Sequence, residues 1–255
     1  MTKCTHFKKR LFKNKSSLSD NSKLDGVKSF DLPLTTCQNR CMLSNKFFKI
    51  CYAENNQNQR RPNRVKKLLH NLQLIRSSKF VKVFSYEVRN FNKIRFFSSG
   101  DIEDGEQLRK IMQVAKIRHD TKFILITSRD DLLLQAMQTK QTKPENLQII
   151  LSSGLIDEPV PQFEKDILSP FGVQFSHITT DKKTATCEAS KTGICGDCSD
   201  CYHKPADQTS TSKKDGFIFS LHGNNNTRKI KKYGNKTRAE IMKEYLRTNT
   251  KRGSN

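Results

Sequence analysis

Apolar runs of strand length alternate along this chain with longer segments whose apolar residues recur at helical spacing. The short runs are GVKSFDL (26–32), KIRFFSS (93–99), KFILITS (122–128), LQIILSS (147–153), GVQFSHI (172–178) and GFIFSLHG (216–223). Several are apolar at consecutive positions, as strands buried on both faces are. Between the first two, RRPNRVKKLLHNLQLIRSS puts Val65, Leu68, Leu69, Leu72 and Ile75 on one helical stripe. After the second, Leu108, Ile111, Met112 and Ala115 mark one face of a helix behind acidic residues, and after the third, SRDDLLLQAMQTK reads as a helix with Ser128 as its N-cap. Strand and helix in that order predict an α/β fold with a mostly parallel six-stranded sheet and right-handed crossovers, either doubly wound or a partial (β/α)6 barrel.

Length and charge divide the chain further. Its 255 residues suffice for one sizeable domain, expected over 27–224, with basic polar tails at 1–26 and 225–255 and a cysteine-rich insertion at 184–205. The formal charge is +22, and residues 228–252 alone hold ten Lys/Arg against Glu240 and Glu244. Such tails attract polyanions, nucleic acid first, although a solvated basic tail has the same composition. The segment KTRAEIMKEYLRT (236–248) is expected to form a short helix that docks through Ile241, Tyr245 and Leu246. No run of eighteen apolar residues is present, and the basic start lacks the apolar core of a secretory signal. These features predict a cytoplasmic protein with no membrane partner.

Seven of the eight cysteines fall into two groups, as metal or cluster ligands do. Cys37, Cys41 and Cys51 lie within fifteen residues, on the loop after the first predicted strand. In open α/β sheets and barrels, ligands gather at the carboxyl ends of strands, so this loop and the SSGD (98–101) ending the second strand are expected side by side. Three thiolates can hold three irons of a [4Fe–4S] cluster and leave the fourth iron open. Alternatively His70, or a cysteine of the second group, completes a zinc tetrahedron. The second group, Cys187, Cys195, Cys198 and Cys201, has the spacing C-x7-C-x2-C-x2-C and suits a second [4Fe–4S] cluster or zinc, with consecutive C-x2-C steps leaning toward the cluster.

Other residues are candidates on position alone. Tyr52, directly after Cys51, either packs against a cluster or adenine or plugs the core. His222, at the end of the last strand, is a candidate for binding phosphate or substrate or for moving a proton, and its ordinary role would be structural. Asp101 is, with His222, a catalytic candidate, and its alternative role is to cap the next helix. No phosphate loop, H-E-x-x-H or serine nucleophile elbow is present, which removes several common enzyme classes.

A C-x3-C loop closed by a third cysteine, followed by a strand end of glycine and acid, resembles the radical S-adenosylmethionine (radical SAM) superfamily. The resemblance implies that Cys37, Cys41 and Cys51 ligate a [4Fe–4S] cluster, that Ser99, Gly100 and Asp101 face the methionine part of SAM, and that an electron donor starts hydrogen abstraction from a substrate. The superfamily's usual spacing is C-x3-C-x2-C, whereas nine residues separate Cys41 from Cys51 here. The ordered set FDLP, C…C…CYA, RPNRVKKLLHNLQLI, IRFFSSGDI, the late cysteine quartet and FIFSLHGN is similar to the phage and mobile-element family of gene product eighty-eight, over roughly residues 29–224. That family implies no established reaction. Two functions are therefore expected to compete: a phage-encoded radical SAM-type iron–sulfur enzyme, and a zinc-stabilised protein that binds nucleic acid through its tails.

Overall fold

The computed structural model describes residues 16–20, 27–37, 62–179, 181, 183–187, 200–202 and 216–220. Among these, one seven-stranded sheet runs in chain order: β1 Leu18–Asp20, β2 Lys28–Phe30, β3 Lys93–Phe96, β4 Lys122–Thr127, β5 Leu147–Ile156, β6 Val173–Thr179 and β7 Phe217–Ser220. Pairs from β2 through β7 are parallel, and only β1 is antiparallel to its neighbour. The six expected strands are all present.

The seventh, β1, lies in residues expected to belong to the basic tail. Its three residues carry too little pattern to read, and neighbouring polar groups hold it in place. Buried Asn71 donates to the Ser17 and Asp31 carbonyls at 2.9 Å each, Lys67 donates to the Leu18 carbonyl, and the Glu87 carboxylate accepts from Ser16 and Ser17.

Among the described residues five helices accompany the sheet: α1 Pro62–Arg76, α2 Phe80–Glu87, α3 Gly105–Ile117, α4 Asp130–Gln138 and α5 Gln162–Leu168. α2 and α5 are additions to the sequence reading. Residues from all five share a single apolar cluster with Phe30, Ile94, Phe96, Phe123, Leu125, Leu147, Ile149 and Phe175 of the sheet. The described helices therefore cover one face, the outer one, rather than both. Aromatic packing fills that layer, with Phe30 edge-on to Phe84 at 4.9 Å, Phe80 stacked on Phe84 at 5.1 Å and Phe96 stacked on Phe123 at 5.8 Å. Each such ring removes enough apolar surface from water to stabilise the fold by about 2–3 kcal/mol.

The expected face of α3 is correct, since Leu108, Ile111, Met112 and Ala115 are all buried. The α1 stripe is narrower than expected: Leu68 and Ile75 are buried, but Val65 and Leu69 are 38% and 49% exposed. Ser128 does not cap α4, whose N-cap residue is Arg129 without a side-chain cap bond.

The opposite, inner face has a different character. Because side chains alternate along a strand and paired residues share a face, register places Ser29, Arg95, Ile124 and Gln148 in one row and Ile126, Ile150 and Gln174 in the next. The segment Asp200–Tyr202 lies on this side, where Tyr202 and Cys201 pack with Val27, Ile124, Ile150 and Phe217.

Candidate functional site at the strand ends

The carboxyl ends of β2, β3 and β4 are joined by two carboxylates, one directly after β2 and the other five residues past the end of β3. Asp31, fully buried, follows β2. Its Oδ1 accepts the Ser98 amide at 2.8 Å, and its Oδ2 accepts the Ser29 hydroxyl at 3.0 Å and the Arg64 guanidinium at 2.5 Å. Asp101 repeats the arrangement one strand further on. Its Oδ1 accepts the Thr127 hydroxyl at 2.6 Å and the Ile102 amide at 2.8 Å, while its Oδ2 accepts both the amide and the hydroxyl of Ser128 at 3.0 Å. The sequence reading singled out neither Asp31 nor Thr127, although the acid directly behind the apolar run in SFDLP was a usable signal for Asp31.

Between the two carboxylates, the loop that starts the first cysteine group meets the SSGD turn. The Leu32 amide donates to the Ser99 carbonyl at 2.9 Å, and the Ser99 hydroxyl donates to the Leu32 carbonyl at 2.8 Å. Thr36, in the short helical turn Leu34–Thr36, accepts the Asp101 amide at 2.9 Å and donates its hydroxyl to the Pro33 carbonyl at 2.8 Å. Cys37 follows immediately, buried, with its amide on the Leu34 carbonyl at 3.0 Å.

Gly100 has φ +78°, and a Cβ there would lie 2.5 Å from Leu32 Cβ and 2.7 Å from the Leu32 carbonyl oxygen. Glycine is required on both counts, conformation and space. Buried Phe97 also has positive φ, at 63°, an unfavourable conformation for a bulky side chain that costs about 1–3 kcal/mol. Backbone strain of this kind concentrates where a loop must be held in one shape.

Asp101 does not cap α3; Asp104 does, accepting the Gln107 amide at 2.8 Å. Arg129 is buried and committed to the scaffold, with Nη1 donating to the Ile102 and Glu103 carbonyls and Nε and Nη2 gripping Asp131. The hydrogen-bonded ion pair with Asp131 raises the guanidinium pKa, helped by the charge of Asp101, and Arg129 in turn holds the Asp131 carboxyl below its ordinary value.

The structure thus brings Cys37 together with Ser99, Gly100 and Asp101. Cys41, Cys51, Tyr52, Cys195, Cys198 and His222 lie outside the described residues, as do most of the two expected tails. His70 sits in α1. Of the quartet, Cys187 runs along the edge of β7, its amide on the Ile218 carbonyl at 3.1 Å, and Cys201 packs against the inner-face cluster. Cys37, Cys187 and Cys201 form no disulfide. Among the described residues no three His, Cys, Asp or Glu side chains assemble as a metal cradle, four of the seven candidate cysteines being outside that set.

The Gene product 88 family matches residues 6–185. The chain belongs to this family. The Gene product 88 match spans β1 through β6, the first cysteine group and the SSGD turn, and it ends before Cys187, β7 and His222. No curated protein and no solved structure matches the chain. Among the described residues no helix is long and apolar enough to cross a membrane.

Proposed function

We propose that this Gene product 88 protein is an iron–sulfur enzyme of radical SAM type, with its cluster on Cys37, Cys41 and Cys51. One observation carries the reading: a buried cysteine opens its loop at the carboxyl end of the first parallel strand, and that loop is hydrogen-bonded to the Ser99–Asp101 turn at the end of the next. The described helices cover one side of a mostly parallel sheet that runs in chain order, and parallel α/β architectures bind ligands at this rim. The donors suit the group, since soft thiolates are the ligands that iron–sulfur clusters take.

When bound, a [4Fe–4S] cluster with SAM on its open iron supplies reductive SAM cleavage by one electron and hydrogen abstraction from a substrate. The chain's own residues prepare the place. Ser99 and Thr36 fix the distance between the cysteine loop and the turn, and Gly100 keeps the turn free of a side chain so that a ligand can approach its main chain. Asp101, its carboxylate occupied by Thr127, Ser128 and Ile102, is a positioning residue in this reading. Tyr52 and His222 are assigned to the ligand side of the rim, and the quartet to a second [4Fe–4S] cluster or zinc. An external electron donor is required.

The test is anaerobic reconstitution of the full chain with iron and sulfide, followed by assay of 5′-deoxyadenosine release from SAM with dithionite as reductant. The wild type should be brown and cleave SAM, and Cys37→Ala should abolish cleavage while retaining metal at the quartet. A wild type that holds only zinc after reconstitution, or a Cys37→Ala protein that still cleaves SAM, overturns the proposal. Zinc retention with salt-dependent DNA or RNA binding lost on tail removal would establish the competing reading, a zinc-stabilised nucleic-acid-binding protein.

A further inference from the structure

Charge around the parallel sheet is sorted by strand end. The segments that lead into β3, β4 and β5, residues 88–93, 116–122 and 139–146, hold seven Lys/Arg against Asp120 and Glu145. The segments that leave the same strands, residues 97–106, 128–131 and 157–161, hold eight Asp/Glu against Arg129. Helix dipoles favour part of this sorting, because α3, α4 and α5 begin at the acidic end. They do not call for Lys93 and Lys122. These are the first residues of β3 and β4 and stand opposite each other in register, where like charges repel.

The basic end is also held in one shape. Arg118 donates to the Arg89 carbonyl at 2.9 Å, Thr121 donates to the Phe91 carbonyl at 2.9 Å, and the Asn146 amide group donates to the Ala115, Arg118 and Thr121 carbonyls. Three successive connections are thereby tied into a single floor under β3, β4 and β5. Arg89, Lys116, Lys122 and Lys140 are exposed on it and form no salt bridge with an acid among the described residues. The Arg89 guanidinium lies over the Tyr86 ring, 3.8 Å from its centroid, which holds it ready for an anion.

We propose that this floor at the amino ends of the strands binds the phosphate backbone of a nucleic acid, on the folded domain itself and on the opposite edge from the cysteine loop. Neighbouring strands lie about 4.8 Å apart, so the amino ends of β2 through β5 extend roughly 15 Å, room for about four phosphates of one strand. The exposed side chains between the cations include Asn90, Asn92 and His119, which hydrogen-bond to phosphate and sugar oxygens. Of the large apolar side chains exposed on this floor, the Tyr86 ring lies under Arg89, and Ile117 stands alone. One isolated isoleucine is too little to anchor an apolar protein partner or to enter a membrane. The reading is independent of the cluster chemistry proposed for the other edge. It also differs from binding through the tails, because the cations lie within 86–146.

Two variants of the full chain with equal loss of charge test the placement. The first carries Arg89→Gln, Lys116→Gln, Lys122→Gln and Lys140→Gln; the second carries Lys66→Gln, Lys79→Gln, Lys82→Gln and Lys183→Gln, exposed positions elsewhere on the domain. Binding of a short duplex DNA and of a single-stranded RNA is measured across a salt series, with thermal melts to confirm that both variants fold as the wild type does. The first variant should bind at least about tenfold more weakly, with a salt slope shallower by about 2–4, while the second stays within about twofold of the wild type. A wild type that binds neither nucleic acid, or two variants that weaken binding equally, overturns the proposal and leaves net charge or the tails as the source of any attraction. Competition by polyglutamate as effective as by nucleic acid, at equal charge, overturns it in favour of an acidic protein partner.

Discussion

The two faces of the sheet are built from different materials. Outward, toward the helices, Phe30, Phe80, Phe84, Phe96 and Phe123 interlock with leucines and isoleucines in one continuous apolar layer. Inward, the rows contain Ser29, Arg95, Gln148, Gln174, Ser152 and Ser176 among a few isoleucines, and a second, smaller cluster meets the Asp200–Tyr202 segment. A parallel sheet usually buries apolar residues on both sides. Here stability is concentrated on one face, and the other face and its rim are left to polar groups that packing alone does not call for. That division matches a chain whose outer layer specifies the fold.

The comparison predicts the largest stability loss on the outer face. Phe84 touches Phe30 and Phe80 with its ring and is fully buried. Phe84→Ala should destabilise by about 3–5 kcal/mol, the lost transfer free energy plus a cavity that neighbouring aromatics cannot close. Chemical denaturation reads this out. A loss under about 1 kcal/mol would mean that the aromatic layer is not the seat of stability.

At the rim the expected losses are smaller and come from polar groups and backbone geometry. Asp101→Ala strands the Thr127 and Ser128 hydroxyls and two amides, a loss of about 2–4 kcal/mol, because buried donors without partners cost more than a made bond gains. Gly100→Ala, with φ +78° and Leu32 in the way, should cost about 2 kcal/mol and loosen the Cys37 loop from the turn. Hydrogen exchange at the Leu32 and Asp101 amides would register that loosening, and unchanged protection there would separate the turn from the cysteine loop.

These rim residues also show where sequence reading succeeds. Strand-length apolar runs announced β2 through β7, because burial on the outer face imposes alternation and long apolar stretches in a single chain segment. Cys37 and the SSGD turn could be placed together because parallel topology sends successive strand ends to one side. β1 was illegible: three residues of mixed character are fixed by Asn71 and Glu87, which lie far along the chain. The occupied state of the Asp101 carboxylate was illegible for the same reason, its partners Thr127 and Ser128 arriving from a different strand. The one-sided placement of the helices was equally hidden, since nothing in the period of a helix says which face of the sheet it will cover.

On the inner side the comparison sharpens further. The Ser176 hydroxyl is buried and has no hydrogen-bond partner among the described residues. Ser176→Ala should then be neutral or stabilising by up to about 1 kcal/mol, the reverse in sign of the outer-face substitution, since an unsatisfied polar atom is removed without opening a cavity. A clear destabilisation in thermal melts would show that the inner face is held by its polar groups as firmly as the outer face is held by its rings.

The smallest effect concerns pH and the β6–β7 end of the sheet. His177 on β6 pairs in register with Ile218 of β7 and lines a cavity beside α5. Burial holds its pKa below the ordinary histidine value, with the charge of Lys165 acting in the same direction and Asp157 opposing. A histidine with a lowered pKa in the folded state binds its proton more readily when unfolded. The contribution of neutral His177 to stability is therefore complete above the unfolded value, near about pH 6.5, and is lost as pH falls through it toward the folded value. Other groups titrate in the same range, so the measurement is a difference: wild type and His177→Gln melted side by side between neutral and mildly acidic pH. The wild type should lose stability relative to the variant on acidification, and parallel curves would mean that the proton finds His177 equally accessible in the folded and unfolded chains.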